Sequence, residues 1–380
     1  MKKIKDICTV VSGSTPKTNV DEYWDGNIKW ITPAELNEDS FYLYDSVRHI
    51  TELGKAKTGL SYMPQGTVIL SSRAPIGKVA IAGCEMCCNQ GFKNLICSDA
   101  IFNEYLYYFL KSKTDYLNSL GRGATFKELS KSIVENIDIK VPALDKQKEI
   151  AGILGKVYEL INLRKQQLSK LDELVKARFV ELFGDPMTNS NGYVLKKYGD
   201  LFELNAGGTP SKQKPEYWDN GTISWIGSNM CQNTVIYEND GNYITEEGLK
   251  HSSARMFPVD TVLIALVGAT IGKTALLKFE TTTNQNVLGV RGIRESGYTP
   301  EFVFYYTQGL YQKFLDIGDG GFSMASKGFI SELPVPVVDL ALQEQFAAFV
   351  KQTDKSKLAV QKSLEELETL KKSLMQQYFG

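Results

Sequence analysis

Cationic and hydroxyl side chains stand beside glycine in two matching sets along this chain, a combination suited to gripping phosphate. In the first set, Thr15 and Lys17 follow Gly13, Arg73 and Lys78 bracket Gly77, and Arg122, Thr125 and Lys127 accompany Gly121 and Gly123. In the second, Thr209, Ser211 and Lys212 follow Gly207 and Gly208, Thr270 and Lys273 flank Gly272, and Ser323 and Lys327 follow Gly320 and Gly321. Glycine lets a backbone amide approach an anion closely, and a neighbouring Arg or Lys supplies charge. Arg73 and Arg122 carry the planar fork that suits a guanine edge. In the aligned sequence Arg73 faces Gly268, and Arg122 faces Gly318 or Asp319, so neither fork is repeated. Asn89 and Asn284 either bond an adenine edge or cap a turn. Thr15 and Thr209, each before a proline, read as turn formers first and phosphate contacts second.

Other chemistries fail on spacing. Gly268-Ala269-Thr270-Ile271-Gly272-Lys273-Thr274 approaches a nucleotide-binding loop, but it is one residue short and Val267 stands where the first glycine belongs. Cys84 and Cys87 form a C-x-x-C with no second pair at zinc spacing, and Phe279 and Thr282 stand at the aligned positions. His49 and His251 are the only histidines, which argues against a histidine acid–base centre. We find no N-P-P-[YF] methyltransferase loop, no glycine-rich cofactor loop and no carboxylate–carboxylate–lysine nuclease pattern. The chain is expected to bind no cofactor and no metal itself.

The elements that position these loops are written twice. Gly13-Ser14-Thr15-Pro16, Tyr23-Trp24-Asp25 and Trp30-Ile31 return as Gly207-Gly208-Thr209-Pro210, Tyr217-Trp218-Asp219 and Trp225-Ile226. Ile50-Thr51-Glu52 returns as Ile244-Thr245-Glu246, Ile76-Gly77-Lys78 as Ile271-Gly272-Lys273, and Asn89-Gln90 as Asn284-Gln285. Ser130-Lys131, Gln147 and Phe183-Gly184 return as Ser326-Lys327, Gln343 and Phe379-Gly380. Such duplication implies two equivalent sites. The shared tryptophans read as core residues rather than stacking platforms.

Each copy has two parts. Residues 1–144 and 185–340 carry short β-type runs such as Thr67–Leu70, Lys78–Ala82, Thr261–Leu266 and Val287–Val290, broken by turn residues. Helical stretches appear over Asn103–Lys113 and Pro300–Phe314. These parts predict α+β domains with mixed, partly barrel-like sheets. Residues 145–184 and 341–380 each predict one long helix. Ile150, Leu154, Val157, Ile161, Leu168, Leu171, Val175 and Leu182 form one apolar stripe, and Phe346, Val350, Val360, Leu364, Leu367, Leu374 and Tyr378 form the other. At about 1.5 Å per residue, each rod reaches about 58 Å. Equal stripes on equal rods predict an antiparallel coiled coil related by a pseudo-two-fold, with Gly380 returning near Met1.

Composition sets bounds on partners and setting. A net charge of −1 excludes a uniformly basic nucleic-acid binder but leaves room for local basic surfaces. No apolar run approaches the roughly 18 residues of a membrane span, the N-terminal residues lack a signal-peptide core, and six cysteines do not read as a disulfide framework. A reducing cytoplasm is the expected setting, with no membrane partner.

The order of these marks resembles the specificity subunit of Type I restriction–modification systems, over essentially the whole chain. The marks are the G-x-T-P opening, Tyr-Trp-Asp with Trp-Ile, Arg73 to Lys78 with Asn89 to Phe92, and Ser130-Lys131 through Val141-Pro142-Ala143-Leu144 to Gln147. The resemblance implies two target-recognition domains, each reading one half of a bipartite, asymmetric site in double-stranded DNA. It implies helices that set the spacer and dock methyltransferase subunits, two being expected, with restriction subunits joining the full complex. S-adenosylmethionine would belong to the methyltransferase partners. The rival expectation is a coiled-coil scaffold whose globular ends bind proteins.

Overall fold

A computed structural model of the chain describes residues 1–73, 75–122, 127–318 and 324–380. The chain divides into two compact units, residues 1–165 with 362–380, and residues 166–361.

In the first unit a five-stranded sheet runs Cys8–Ser12, Phe92–Cys97, Val68–Ser71, Val79–Ala82 and Tyr42–Leu43 in spatial order. All pairings are antiparallel except the last, which is parallel. The run Val68-Ile69-Leu70 is apolar throughout because both of its faces are covered. Val68 and Leu70 face the helix Asn103–Ser112 in one core, while Ile69 joins Ile31, Met86 and Phe92 in another. A smaller sheet, Arg48–Ile50, Trp24–Ile31 and Cys87–Cys88, lies beside a third cluster holding Trp24 and Trp30.

The second unit repeats the plan. Its five strands run Glu203–Ala206, Val287–Arg291, Val262–Ala265, Thr274–Leu277 and Thr234–Ile236, and the last pairing is again parallel. A four-stranded sheet of Tyr243–Ile244, Ile223–Ile226, Thr281–Thr283 and Met256–Phe257 completes it. The barrel-like expectation resolves into open sheets, since none closes among the described residues. Several duplicated motifs prove to be caps. Thr51 and Thr245 accept from Gly54 and Gly248 at the start of short helices, and Ser130 and Ser326 do the same for Ile133 and Phe329.

The long helices are Leu144–Phe183 and Leu340–Phe379. Gln147 and Gln343 root them, each fully buried in the first turns. Gln147 accepts from the Phe102 amide at 2.8 Å and donates to the carbonyls of Ala100 and Pro142 at 3.0 and 2.8 Å. Gln343 repeats this with Thr299, Gly297 and Val338. In the first unit the helical segments pair antiparallel, with Arg164 Nε 3.2 Å from Ser363 Oγ and Phe379 5.2 Å from the Tyr105 ring. Phe379 shares its core with Ile4 and Ile7. In the second unit Phe179 and Phe183 meet Phe346, with ring centroids 5.3 and 5.7 Å apart, and Lys357 pairs with Asp172 at 2.6 Å. Of the predicted stripe on the first helix, Ile150, Leu154, Val157, Ile161 and Val175 are buried, whereas Leu168, Leu171 and Leu182 are half-buried.

The Gln147→Leu chain keeps the bulk but strands an amide and two carbonyls. It should lose about 2 kcal/mol or more, read as a lower denaturant midpoint than the unmodified chain.

Candidate nucleic-acid interface

In each unit the duplicated loops meet along one rim joined by backbone hydrogen bonds. The first unit shows the sequence of links. Ser14 N donates to Cys88 O, and Asn89 N to Ile31 O, both at 3.0 Å. Ser72 N then donates to Gly91 O at 2.7 Å, and Leu129 N to Ser72 O at 2.8 Å. Glu128 and Arg122 finally exchange two backbone bonds at 2.9 and 3.1 Å. Thr15, Asn89, Arg73, Arg122 and Lys127 are thereby brought onto one continuous edge. The second unit repeats these links through Gly208 to Thr283, Asn284 to Ile226, Leu266 to Asn286 and Ala325 to Leu266. That edge carries Thr209, Ser211, Lys212 and Asn284, and reaches Lys327 at the start of the helix Lys327–Ser331.

Close approach explains the first glycine of each G-x-T-P loop. A Cβ on Gly13 would lie 2.0 Å from Asn89 O, and one on Gly207 would lie 2.0 Å from Thr283 Oγ1. Tryptophan holds the same loops from beneath. The indoles of Trp24 and Trp30 donate to the carbonyls of Lys17 and Ser14 at 3.1 and 3.0 Å. Those of Trp218 and Trp225 donate to Ser211 and Gly208 at 3.1 and 3.0 Å. The ring pairs are edge-on, 5.1 and 5.3 Å apart. Trp24 and Trp30 are core residues, while Trp218 and Trp225 are half-buried.

The predicted residues fare unequally. Lys17, Arg122, Lys127, Ser211, Lys212 and Lys327 are exposed. Thr15 and Thr209 donate to the side-chain carbonyls of Gln90 and Gln285, so each hydroxyl ties its loop to the asparagine–glutamine turn. The Asn89 and Asn284 side-chain carbonyls accept from Gly91 N and Asn286 N at 2.8 and 3.0 Å, which is turn capping. Lys78 is turned inward, its ammonium bound to the carbonyls of Leu36 and Pro33. Lys273 bonds Gln232 Oε1 at 2.9 Å, and the Thr270 hydroxyl lies 3.4 Å from Val267 O. Thr125 and Ser323 lie outside the described residues. Arg73 Nε donates to Glu128 Oε2 at 3.1 Å. Its backbone bridges to Glu128 as Val267 bridges to Met324, so its structural counterpart is Val267 and not the Gly268 of the sequence alignment.

Sequence reasoning passed over Glu128 and the buried Lys93 that also binds it. The signal for Lys93 was a lysine inside the apolar strand Phe92–Cys97. After Lys273 the chain enters the strand Thr274–Leu277, so no helix N-terminus backs that loop as a nucleotide site would require. Burial pushes the Cys87 and Cys88 thiols up to about 11 and about 12, so both stay protonated. No cluster of His, Cys, Asp and Glu able to hold a metal occurs among the described residues. No helix there is long and apolar enough to cross a membrane.

Residues 1–173 and 191–369 match the family model of the Type I restriction modification DNA specificity domain. The Type I restriction enzyme MjaIX specificity subunit of Methanocaldococcus jannaschii is 32% identical over 320 residues, spanning 78% of this chain and 74% of that protein. The Type-I restriction-modification system S subunit from M. genitalium superposes with a TM-score of 0.60 at 16% identity, covering 100% of this chain and 95% of that one. A chain solved in work on complex assembly and conformational transition of the type I R-M system gives a TM-score of 0.64 at 16% identity, covering 100% and 96%. At that identity the structural likeness is one of fold.

Trp30→Phe keeps an aromatic ring, though a smaller one, and deletes the bond to Ser14 O. Losing about 1 kcal/mol there should speed hydrogen exchange of the Ser14 amide roughly fivefold, with the Gly208 amide of the second unit unchanged.

Proposed function

This chain belongs to the family of Type I restriction–modification DNA specificity proteins, and on that footing we propose that residues 1–144 and 185–340 each read one half of a bipartite, asymmetric site in double-stranded DNA. Its part is recognition, and catalysis belongs to other subunits of such systems. The observation that carries the reading is one rim built twice on the same backbone links with different side chains at its edge. Two sites of common frame and unlike tips are what two unlike half-sites require, since backbone contacts position a reader and side chains at base edges specify.

The helices Leu144–Phe183 and Leu340–Phe379 fix the number of unread base pairs, and their outward faces dock two methyltransferase subunits, with restriction subunits completing the assembly. Leu160, Leu163, Leu174, Val180, Leu358 and Leu370 are exposed apolar residues on those helices, suited to such docking. S-adenosylmethionine is held by the methyltransferase partners. The complex acts in the cytoplasm, where the DNA is.

Two measurements test this. Methylome sequencing of a host carrying this chain with its methyltransferase subunit should reveal a split, asymmetric motif that is absent with the methyltransferase alone. An assembled complex that adds no methylation would favour a protein-binding scaffold. Inserting one heptad into both helices adds about 10.5 Å of rise and should lengthen the spacer by about three base pairs, leaving both half-sites as they were. An unchanged spacer would overturn the ruler.

A further inference from the structure

The two units differ at one equivalent place on the rim. In the first, Lys93 is buried within its strand, its side chain only 7% exposed. Its ammonium lies 3.3 Å from Ser72 Oγ and 3.3 Å from Glu128 Oε1. The other carboxylate oxygen of Glu128 takes Arg73 Nε at 3.1 Å, and the Arg73 side chain is 46% exposed. In the second unit the pairing Ile264↔Leu288 stands where Leu70↔Lys93 stands in the first, and the bridge Val267–Met324 replaces Arg73–Glu128. Leu266 replaces Ser72, since Ala325 N binds Leu266 O as Leu129 N binds Ser72 O.

The second unit therefore serves as an internal control. Leucine, valine, leucine and methionine fill the same backbone positions, so the fold does not need a buried cation there. A buried ion pair gives little net stability over apolar residues of similar size. Stability therefore does not account for the charges in the first unit. Glu128 holds Arg73 by Nε and leaves the two terminal nitrogens, the pair that grips guanine O6 and N7 in the major groove. Lys93 balances the carboxylate from below and fixes its position.

We propose that Lys93 and Glu128 are positioning residues that aim Arg73 at a guanine, making this cluster the specificity determinant for one G·C pair in the half-site of the first domain. The second domain, with Val267 and the exposed Met324 at that place, lacks the determinant. The inference rests on the reading of residues 1–144 as a DNA recognition domain and deepens it.

The test uses the full chain assembled with its methyltransferase subunits. Initial methylation rates are compared on duplexes that differ at single base pairs of either half-site. Glu128→Gln should lower the preference for one G·C pair about tenfold or more, confined to one half-site, with discrimination in the other half intact. The fourfold exchange Ser72→Leu, Arg73→Val, Lys93→Leu and Glu128→Met adopts the packing of the second unit. It should fold with an undiminished denaturant midpoint and lose that preference altogether. Unchanged preference in either folded variant, or a loss spread over both half-sites, would overturn the proposal. An unmodified complex that directs no bipartite methylation would instead sink the recognition function itself, and this inference with it.

Discussion

One buried amide at the root of each long helix holds the architecture of this chain together. Gln147 and Gln343 each satisfy one backbone N–H and two carbonyls that the connection into the neighbouring helix would otherwise bury unpaired. Leaving such groups unpaired costs more than any single apolar contact nearby returns. A shorter or charged side chain cannot meet the same three groups. The orientation of each helix against its own sheet thus follows from the hydrogen-bonding capacity of one residue type. The apolar stripe then adds burial along a direction that is already set.

Above that root, the sheets supply stiffness. Val68–Ser71 and Val262–Ala265 are covered on both faces, and the loops that leave their ends inherit that rigidity. Gly77 and Gly272 sit at φ of 94° and 73°, a region that side-chain-bearing residues avoid, and so allow the tight return to the next strand. Indole N–H groups pin the G-x-T-P loops from below. What remains to vary is a thin edge of side chains, while the hydrogen bonds that shape the edge are made by backbone.

Much of this was legible in the sequence because it is local or periodic. The repeated Thr51 and Thr245, and Ser130 and Ser326, are caps whose partners lie three residues away. The helix stripe was readable from its period, and the doubled motifs implied doubled sheets. What escaped was long-range. Nothing in the spacing of Lys93 and Glu128 shows that they share a carboxylate with Arg73, because two strands and a loop must fold before they meet. Lys78 and Lys273 looked like phosphate ligands beside their glycines, yet their ammonium groups are spent on Leu36 and Pro33 in one unit and on Gln232 in the other. Phe179 lay outside the predicted stripe, since its burial depends on Phe302 and Phe346 rather than on a heptad position.

The placement of Phe379 carries a consequence for biosynthesis. Its ring packs on Tyr105 and Phe109, and its carbonyl takes the ammonium of Lys113, 266 positions earlier in the chain. At translation rates of about 5–20 residues per second, that gap corresponds to on the order of tens of seconds. During that interval the nascent first unit waits with an open apolar notch while the ribosome makes the second. The unit begun first is therefore completed only after the residues of the other unit have been made. Residues 166–361 form an uninterrupted stretch, whereas the earlier-made unit is completed by residues 362–380, which follow it in the chain.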